Sequence, residues 1–301
     1  MTGKTRFNHF VPRFYLKSFS IPNMEERLWC FDKFTFNKYV TSIRRAAGAR
    51  NFYDEKSEHR LDAEIESIFS PVYRKLVKNK DVGKLFWNER VALANFVAIQ
   101  DNRTQEMRAE VQEAGKQVVK WVVEGLGKDE NALTNVRSRD VVERYIEEAA
   151  EKLATETQAG IMFGEEIKQF ADAILSLQWI LCENKTDTLL WTSDNPINKW
   201  NSNIETLQMG NLGYLSTGIE MFLPVTPKLF LFFCDLGAHR FVPTEKMVIN
   251  NPDNIMFQNY LQIRWSKRYI FSQDDDFKLA EKILKEQPSF REPYKKRIKI
   301  Y

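Results

Sequence analysis

The sequence predicts an α+β fold in which long central helices pack on a mixed or antiparallel sheet built from N- and C-terminal strands. Three observations predict it. Residues 27–42 are aromatic and β-branched on either side of a short turn. Between residues 57 and 182, apolar side chains recur at three-and-four spacing, the period of a helix buried on one face. After residue 186 the pattern changes to short apolar runs bounded by Pro, Asn and Gly, as strands are. No strong linker divides these regions. One domain over 1–301 is therefore expected, with an N-terminal basic and aromatic part (1–56), a helical part (57–185) and a strand-rich part (186–301).

Each element has its own reason. Pro12 interrupts any helix begun before it, and residues 14–19 fit one short turn. RLWCFD (27–32) and FNKYVTS (36–42) make a hairpin turning at 33–35, and 50–54 is a short extended piece. From Ser57, the positions Leu61, Ile65, Ile68, Phe69, Val72, Tyr73 and Leu76 share one helix face, which Pro71 should kink or divide. A second helix starts at Trp87 or Asn88 and is expected to reach Glu124, with Leu93, Phe96, Val97, Met107, Val111, Val118 and Val122 inward and Gly125 and Gly127 beyond its end. Residues 128–137 form a polar loop. Residues 138–182 are a third helical region, broken near Gly160 and Gly164. Strands follow at 189–197, 218–226, 228–235, 247–250 and 268–272, with helices at 251–265 and 275–285 and a basic, extended tail.

Composition bounds the function. The net charge of +3 excludes a polycation, but residues 1–50 hold ten Lys and Arg against three acids, an excess of seven, together with ten aromatics. Cations mixed with aromatics suit a phosphate backbone and stacked bases; equally, the aromatics are core and the cations a solvated face. Only 12 glycines are present, and there is no Gly-rich phosphate loop, no HExxH, no GxSxG and no cluster of His with Asp or Glu, so neither cofactor nor metal is expected. Cys30, Cys182 and Cys234 are far apart, which argues against a disulfide framework and for a reducing, cytoplasmic compartment. No run approaches eighteen apolar residues, so no membrane span is expected.

The segment NHFVPRFYLKSFS (8–20) is the most distinctive stretch. It resembles the opening of the family called domain of unknown function 4238, which begins His-(His/Tyr/Phe)-Val-Pro-x-Phe-Tyr-Leu-(Arg/Lys)-x-Phe. Asn51-Phe52-Tyr53, the pair Gln100 and Arg103, Ser193-Asp194-Asn195-Pro196, Leu223-Pro224-Val225-Thr226-Pro227, Asn251 and Tyr269-Ile270-Phe271-Ser272 resemble later steps of the same pattern. The resemblance implies no settled activity. Its members look like products of mobile or accessory genomic regions, which implies a defence or toxin role.

The residues themselves give a candidate site. His9 lies among Phe7, Phe10 and Phe14, where burial tunes an imidazole to act as acid or base; the bland alternative is a core histidine bonded to a backbone carbonyl. Gln100 and Arg103 fall seven residues after Leu93 and Phe96, so both lie on the buried helix face. A buried guanidinium needs a negative partner, either a carboxylate, for which Asp194 is the candidate, or an anionic ligand. Asp194 and Asn195 end an apolar run before Pro196, which places them in a crevice or makes them ordinary turn residues. Glu66 reaches the same crevice or lies on a solvated helix face, while His59 and His239 are expected on the surface. The functional expectation is an enzyme acting on a phosphodiester or nucleotide, nuclease-like and metal-independent. His9 and Asp194 would be catalytic, and Arg13, Tyr15, Gln100, Arg103 and Asn195 would bind substrate. The alternative is a non-catalytic module that binds nucleic acid or a partner protein in a defence system. The sequence carries no signal for an oligomeric state.

Overall fold

The computed structural model describes residues 7–126, 139–201, 211–238 and 245–292. The described residues open with β1 (Phe7–His9), the single turn α1 (Arg13–Leu16) and a following 3-10 turn, then β2 (Arg27–Asp32), β3 (Lys38–Ser42) and β4 (Gly48–Arg50). The helical part is α2 (Glu55–Arg60), a π-helical turn (Leu61–Glu66), α3 (Ser67–Asn79), α4 (Trp87–Asn102), α5 (Gln105–Leu126), α6 (Arg139–Phe163) and α7 (Glu166–Ser176). The remainder is β5 (Gln178–Asn184), β6 (Thr192–Ser193), β7 (Asn198–Asn201), β8 (Ile219–Thr226), β9 (Leu229–Cys234), β10 (Lys246–Ile249), α8 (Pro252–Trp265), β11 (Tyr269–Ser272) and α9 (Lys278–Glu286).

The class is α+β, and strands from the two ends of the chain share one antiparallel sheet in the order β3-β2-β11-β6. A second sheet, β10-β5-β9-β8-β7, is antiparallel except where β10 runs beside β5. A two-stranded ribbon joins β1 to β4. The main core lies between the helices and the five-stranded sheet. Phe69 of α3 stacks on Phe96 of α4 with centroids 3.7 Å apart, and Leu231 and Phe233 of β9 are fully buried in the same cluster.

Several expectations need correction. The second helix does not run on to Glu124, because α4 stops at Asn102 and Arg103 takes φ −92°, ψ 0° before α5 begins. Thr104 Oγ1 then accepts the backbone N–H of Met107 at 3.3 Å, as the side chain at a helix start does. Pro71 lies inside α3, and the irregular backbone sits upstream, in the π turn. The third helical region is broken near Gly164 but not at Gly160, and residues 178–182, read as helix, belong to β5. Of 189–197 only Thr192 and Ser193 pair as strand, and the last helix starts at Lys278. The loop at 128–137, the tail from 293 onward and His239 lie outside the described residues.

Polar residues of the resembling motifs hold this frame. Asp194 Oδ1 accepts the N–H of Lys267 at 2.8 Å, and Oδ2 accepts those of Arg268 and Tyr269 at 2.8 and 2.9 Å, so one carboxylate seats the turn from α8 into β11. Ser193 Oγ donates to Gln262 Oε1 at 2.6 Å, and Gln262 Nε2 donates to the Pro196 carbonyl at 2.9 Å. Lys33, fully buried, donates at 2.6 Å to the carbonyls of Ile263 and Ser266, placing a cation where the end of α8 favours one. Asn251 caps the other end of α8 through the Asp253 N–H.

Candidate functional site

The end of α4 grips the N-terminal ribbon. Gln100 Nε2 donates to the Phe10 carbonyl at 2.9 Å, and Arg103 Nη2 donates to the preceding carbonyl, that of His9, at 2.7 Å. Behind them, the Tyr53 N–H donates to Asn8 Oδ1 at 3.2 Å and the Tyr53 hydroxyl donates to the Arg103 carbonyl. Arg108 reaches from α5 to the Phe52 carbonyl at 2.6 Å, with its guanidinium 3.5 Å from the centroid of the Phe52 ring. Gly48 lets β1 close on β4, since a Cβ there would stand 2.7 Å from the Asn8 carbonyl oxygen.

This ribbon, the α2–π–α3 helix and the end of α4 enclose a cavity of about 590 Å³. His9, Arg13, Arg44 and Arg103 line it together with Glu58, Asp62 and Glu66. Arg103 is 1% exposed and is the largest fully buried side chain among the described residues. Its Nη2 also donates to Glu66 Oε1 at 2.9 Å, but Nε and Nη1 are buried without a hydrogen-bond partner. A buried cation with two unsatisfied donors is costly, and a ligand that accepts from them would remove the cost. The imidazole of His9 is in a similar position, with Nε2 buried and without a partner.

Protonation follows from the surroundings. Burial pushes the His9 pKa below its ordinary value, and the nearby charges of Arg13 and Arg103 add to this against the carbonyls of Ile43 and Arg44. His9 is thus the free base at neutral pH. Burial pushes the carboxyl of Glu58 upward, aided by Glu66 and Asp62, although Arg103 and the Asn8 side chain oppose this. One cavity therefore holds an imidazole held neutral and a carboxyl whose proton is retained to higher pH, the pattern by which acid and base roles are divided between neighbours.

The candidate residues separate into three places. His9, Arg13 and Arg103 meet in this cavity, with Gln100 directly behind its wall. Tyr15 does not join them: it is buried in the core, where its hydroxyl donates to the Pro224 carbonyl and accepts from Thr192 Oγ1, each at 2.7 Å. The expected pairing of Asp194 with Arg103 is not formed, and Asp194, expected to be catalytic, does not line the cavity of His9, because it is sealed on three backbone N–H groups and Glu66 takes the guanidinium. Asn195 donates to the Trp265 carbonyl at 3.1 Å and borders a second cavity, also lined by Asn102 and Thr104, the neighbours of Arg103 in sequence.

Sequence reasoning left Glu66 open and missed Glu58 and Asp62. Their spacing of four residues did place them on one helix face, but a row of carboxylates at that spacing reads as solvated. His59 is exposed, as expected. Among the described residues, no group of three or more His, Cys, Asp and Glu is arranged to hold a metal ion, and no helix is long and apolar enough to cross a membrane. Burial pushes the thiols of Cys30 and Cys182 up to about 12, so neither is a thiolate nucleophile at neutral pH.

The model of the family described as protein of unknown function (DUF4238) matches residues 8–276. The chain belongs to that family. No curated protein and no solved structure matches it. Within the matched range, Ser193, Asp194 and Asn251 hold elements together, while His9 and Arg103 line a cavity and Arg103 also holds the N-terminal ribbon.

Proposed function

We propose that this DUF4238 protein is an enzyme acting on a phosphodiester or nucleotide in the cavity of His9 and Arg103, without a metal of its own. The observation that carries this is the buried, unsatisfied guanidinium of Arg103 bordering the same space as the unpartnered Nε2 of His9. Planar guanidinium donors match phosphate oxygens, and Arg13 and Arg44 add two exposed cations to the cavity wall.

The chemistry follows from the two biased groups. A water molecule attacks phosphorus while His9 Nε2 takes its proton. Glu58 gives its proton to the leaving oxygen, and Arg103 with Arg13 neutralises the charge that develops on the phosphoryl oxygens. Asp194 has no part in this scheme, and Asn195 and Tyr15 do not contact the substrate there.

The test is turnover of nucleotides and short single-stranded DNA and RNA by the full chain. Hydrolysis is expected in the wild type, with a loss of about 100-fold or more in His9→Gln and a comparable loss in Glu58→Gln. Full activity in His9→Gln would remove the reading. The second reading, a non-catalytic binder of nucleic acid or a partner protein within a defence system, is favoured by the exposed guanidiniums of Arg13 and Arg44. It predicts binding that weakens steeply with salt and leaves the ligand chemically unchanged. Of the aromatics it would stack on bases, Phe10, Tyr15, Phe19 and Phe31 are buried in the core, while Phe7, Phe34 and Tyr39 are exposed.

A further inference from the structure

The second cavity lies between α4, α5, α7 and the segment around β7, with a volume of about 620 Å³, within the range that small ligands fill. Its character differs from that of the His9 cavity. Phe170 and Tyr214 form a pair of rings with centroids 5.2 Å apart, tilted by 53°, and Ile197, Leu212 and Trp265 extend the apolar wall. It offers no uncommitted cation to an anion among the described residues. Asp101 binds Lys199 at 2.5 Å and accepts the Tyr214 hydroxyl, so the one ammonium on the wall is already matched. Lys199 Nζ also lies 4.4 Å from the centroid of the Tyr214 ring, fixing both.

Two amides supply direction. Asn195 donates its Nδ2 to the Trp265 carbonyl, and Asn102 donates its Nδ2 to the Ala98 carbonyl at 2.8 Å and the Tyr214 hydroxyl at 3.3 Å. Among the described residues nothing donates to either Oδ1, so two carbonyl acceptors border a space walled by aromatic rings. Flat rings stack on such side chains, and N–H groups on the ring edge meet such acceptors.

We propose that this cavity binds a neutral heteroaromatic molecule of nucleobase or nucleoside size, stacked against Phe170 and Tyr214 and held at its edge by Asn195 and Asn102. The site is separate from that of His9 and does not depend on its chemistry.

The experiment is titration of the full chain with adenosine, guanosine, cytidine and uridine, followed by calorimetry and by the methyl NMR signals of Met107, Ile197 and Leu212. At least one nucleoside is expected to saturate the site and shift those methyl signals. Its affinity should fall about tenfold or more in Phe170→Ala and in Asn195→Ala, and stay unchanged in His9→Gln. The matching 5′-monophosphate should shift the same signals more weakly than the nucleoside. The proposal is overturned if none of the four nucleosides binds the wild type at millimolar concentration, or if one binds without moving these methyl signals. The methyl signals keep the outcome decisive even where a variant fails to fold.

Discussion

Arg103 joins structure and proposed chemistry in one side chain. Its Nη2 is shared between the His9 carbonyl and Glu66, so truncation removes a wall of the cavity and leaves a carboxylate facing it alone. Because Glu66 is still 21% exposed, Arg103→Ala should destabilise the chain by about 3 kcal/mol, the lower end for a broken buried pair, as read from urea unfolding. His9 makes a prediction with a definite sign. Its folded pKa is depressed below the ordinary 6.5, so the unfolded chain takes up the proton first as pH falls. The stability linked to His9 is complete above about pH 6.5 and is lost as pH drops toward the folded value. Urea midpoints at pH 7.5 and 5.5 should therefore lie closer together in His9→Gln than in the wild type. The burial of Gln100 and Arg103 was legible from their seven-residue offsets from Leu93 and Phe96. The partner of Arg103 was not, because helix period specifies a face and leaves open which distant carboxylate meets it. Tyr15 was misassigned for a related reason: a tyrosine serves equally as a ligand contact or as a core residue bonded to a distant carbonyl, here that of Pro224.

At the scale of elements, the break between α4 and α5 decides the architecture of the site. Apolar spacing resumes at Met107 and Val111 and residues 100–106 hold no Gly or Pro, and so a single long helix was expected. What ends α4 is side-chain bonding: Arg103 is held by β1, and the Thr104 hydroxyl starts α5. Thr104→Ala should lower stability by about 1 kcal/mol in thermal or urea unfolding, the usual loss at a helix N-cap. The same break turns Arg103 toward one cavity and Asn102 and Thr104 toward the other. The π turn before α3 is a comparable device, since its wider winding lies between Glu58 and Glu66, two carboxylates of the same cavity. The π turn leaves no trace in hydrophobic spacing, and the α4–α5 break leaves only a polar stretch that a continuous helix also tolerates. The β2–β3 hairpin did leave a trace, because its aromatic and β-branched runs flank a short polar turn. Strand β5 did not, because QWILCEN directly follows α7 and a short apolar run fits either period.

For the whole molecule, the α+β class and the meeting of N- and C-terminal strands in one sheet were legible, while the second sheet was not, since β5, which joins β10 to β9, was hidden in the helical stretch. The clasp that joins the ends is Asp194, seated on the N–H groups that lead into β11, with the Lys33 ammonium nearby on the end of α8. Asp194→Asn replaces one accepting oxygen with a donor and opposes a backbone N–H with another. It should cost about 2 kcal/mol in urea unfolding while leaving the His9 resonance in NMR spectra unmoved, which separates its structural part from the proposed chemistry.

The pairing of Arg268 with Asp32 spans 236 residues, and β11 is the neighbour of β2. During synthesis the early hairpin must wait until β11 has left the ribosome before it gains that neighbour. Until Ser272 has emerged, the β2 edge is an open template for other chains, so a truncated or stalled product should be prone to aggregate.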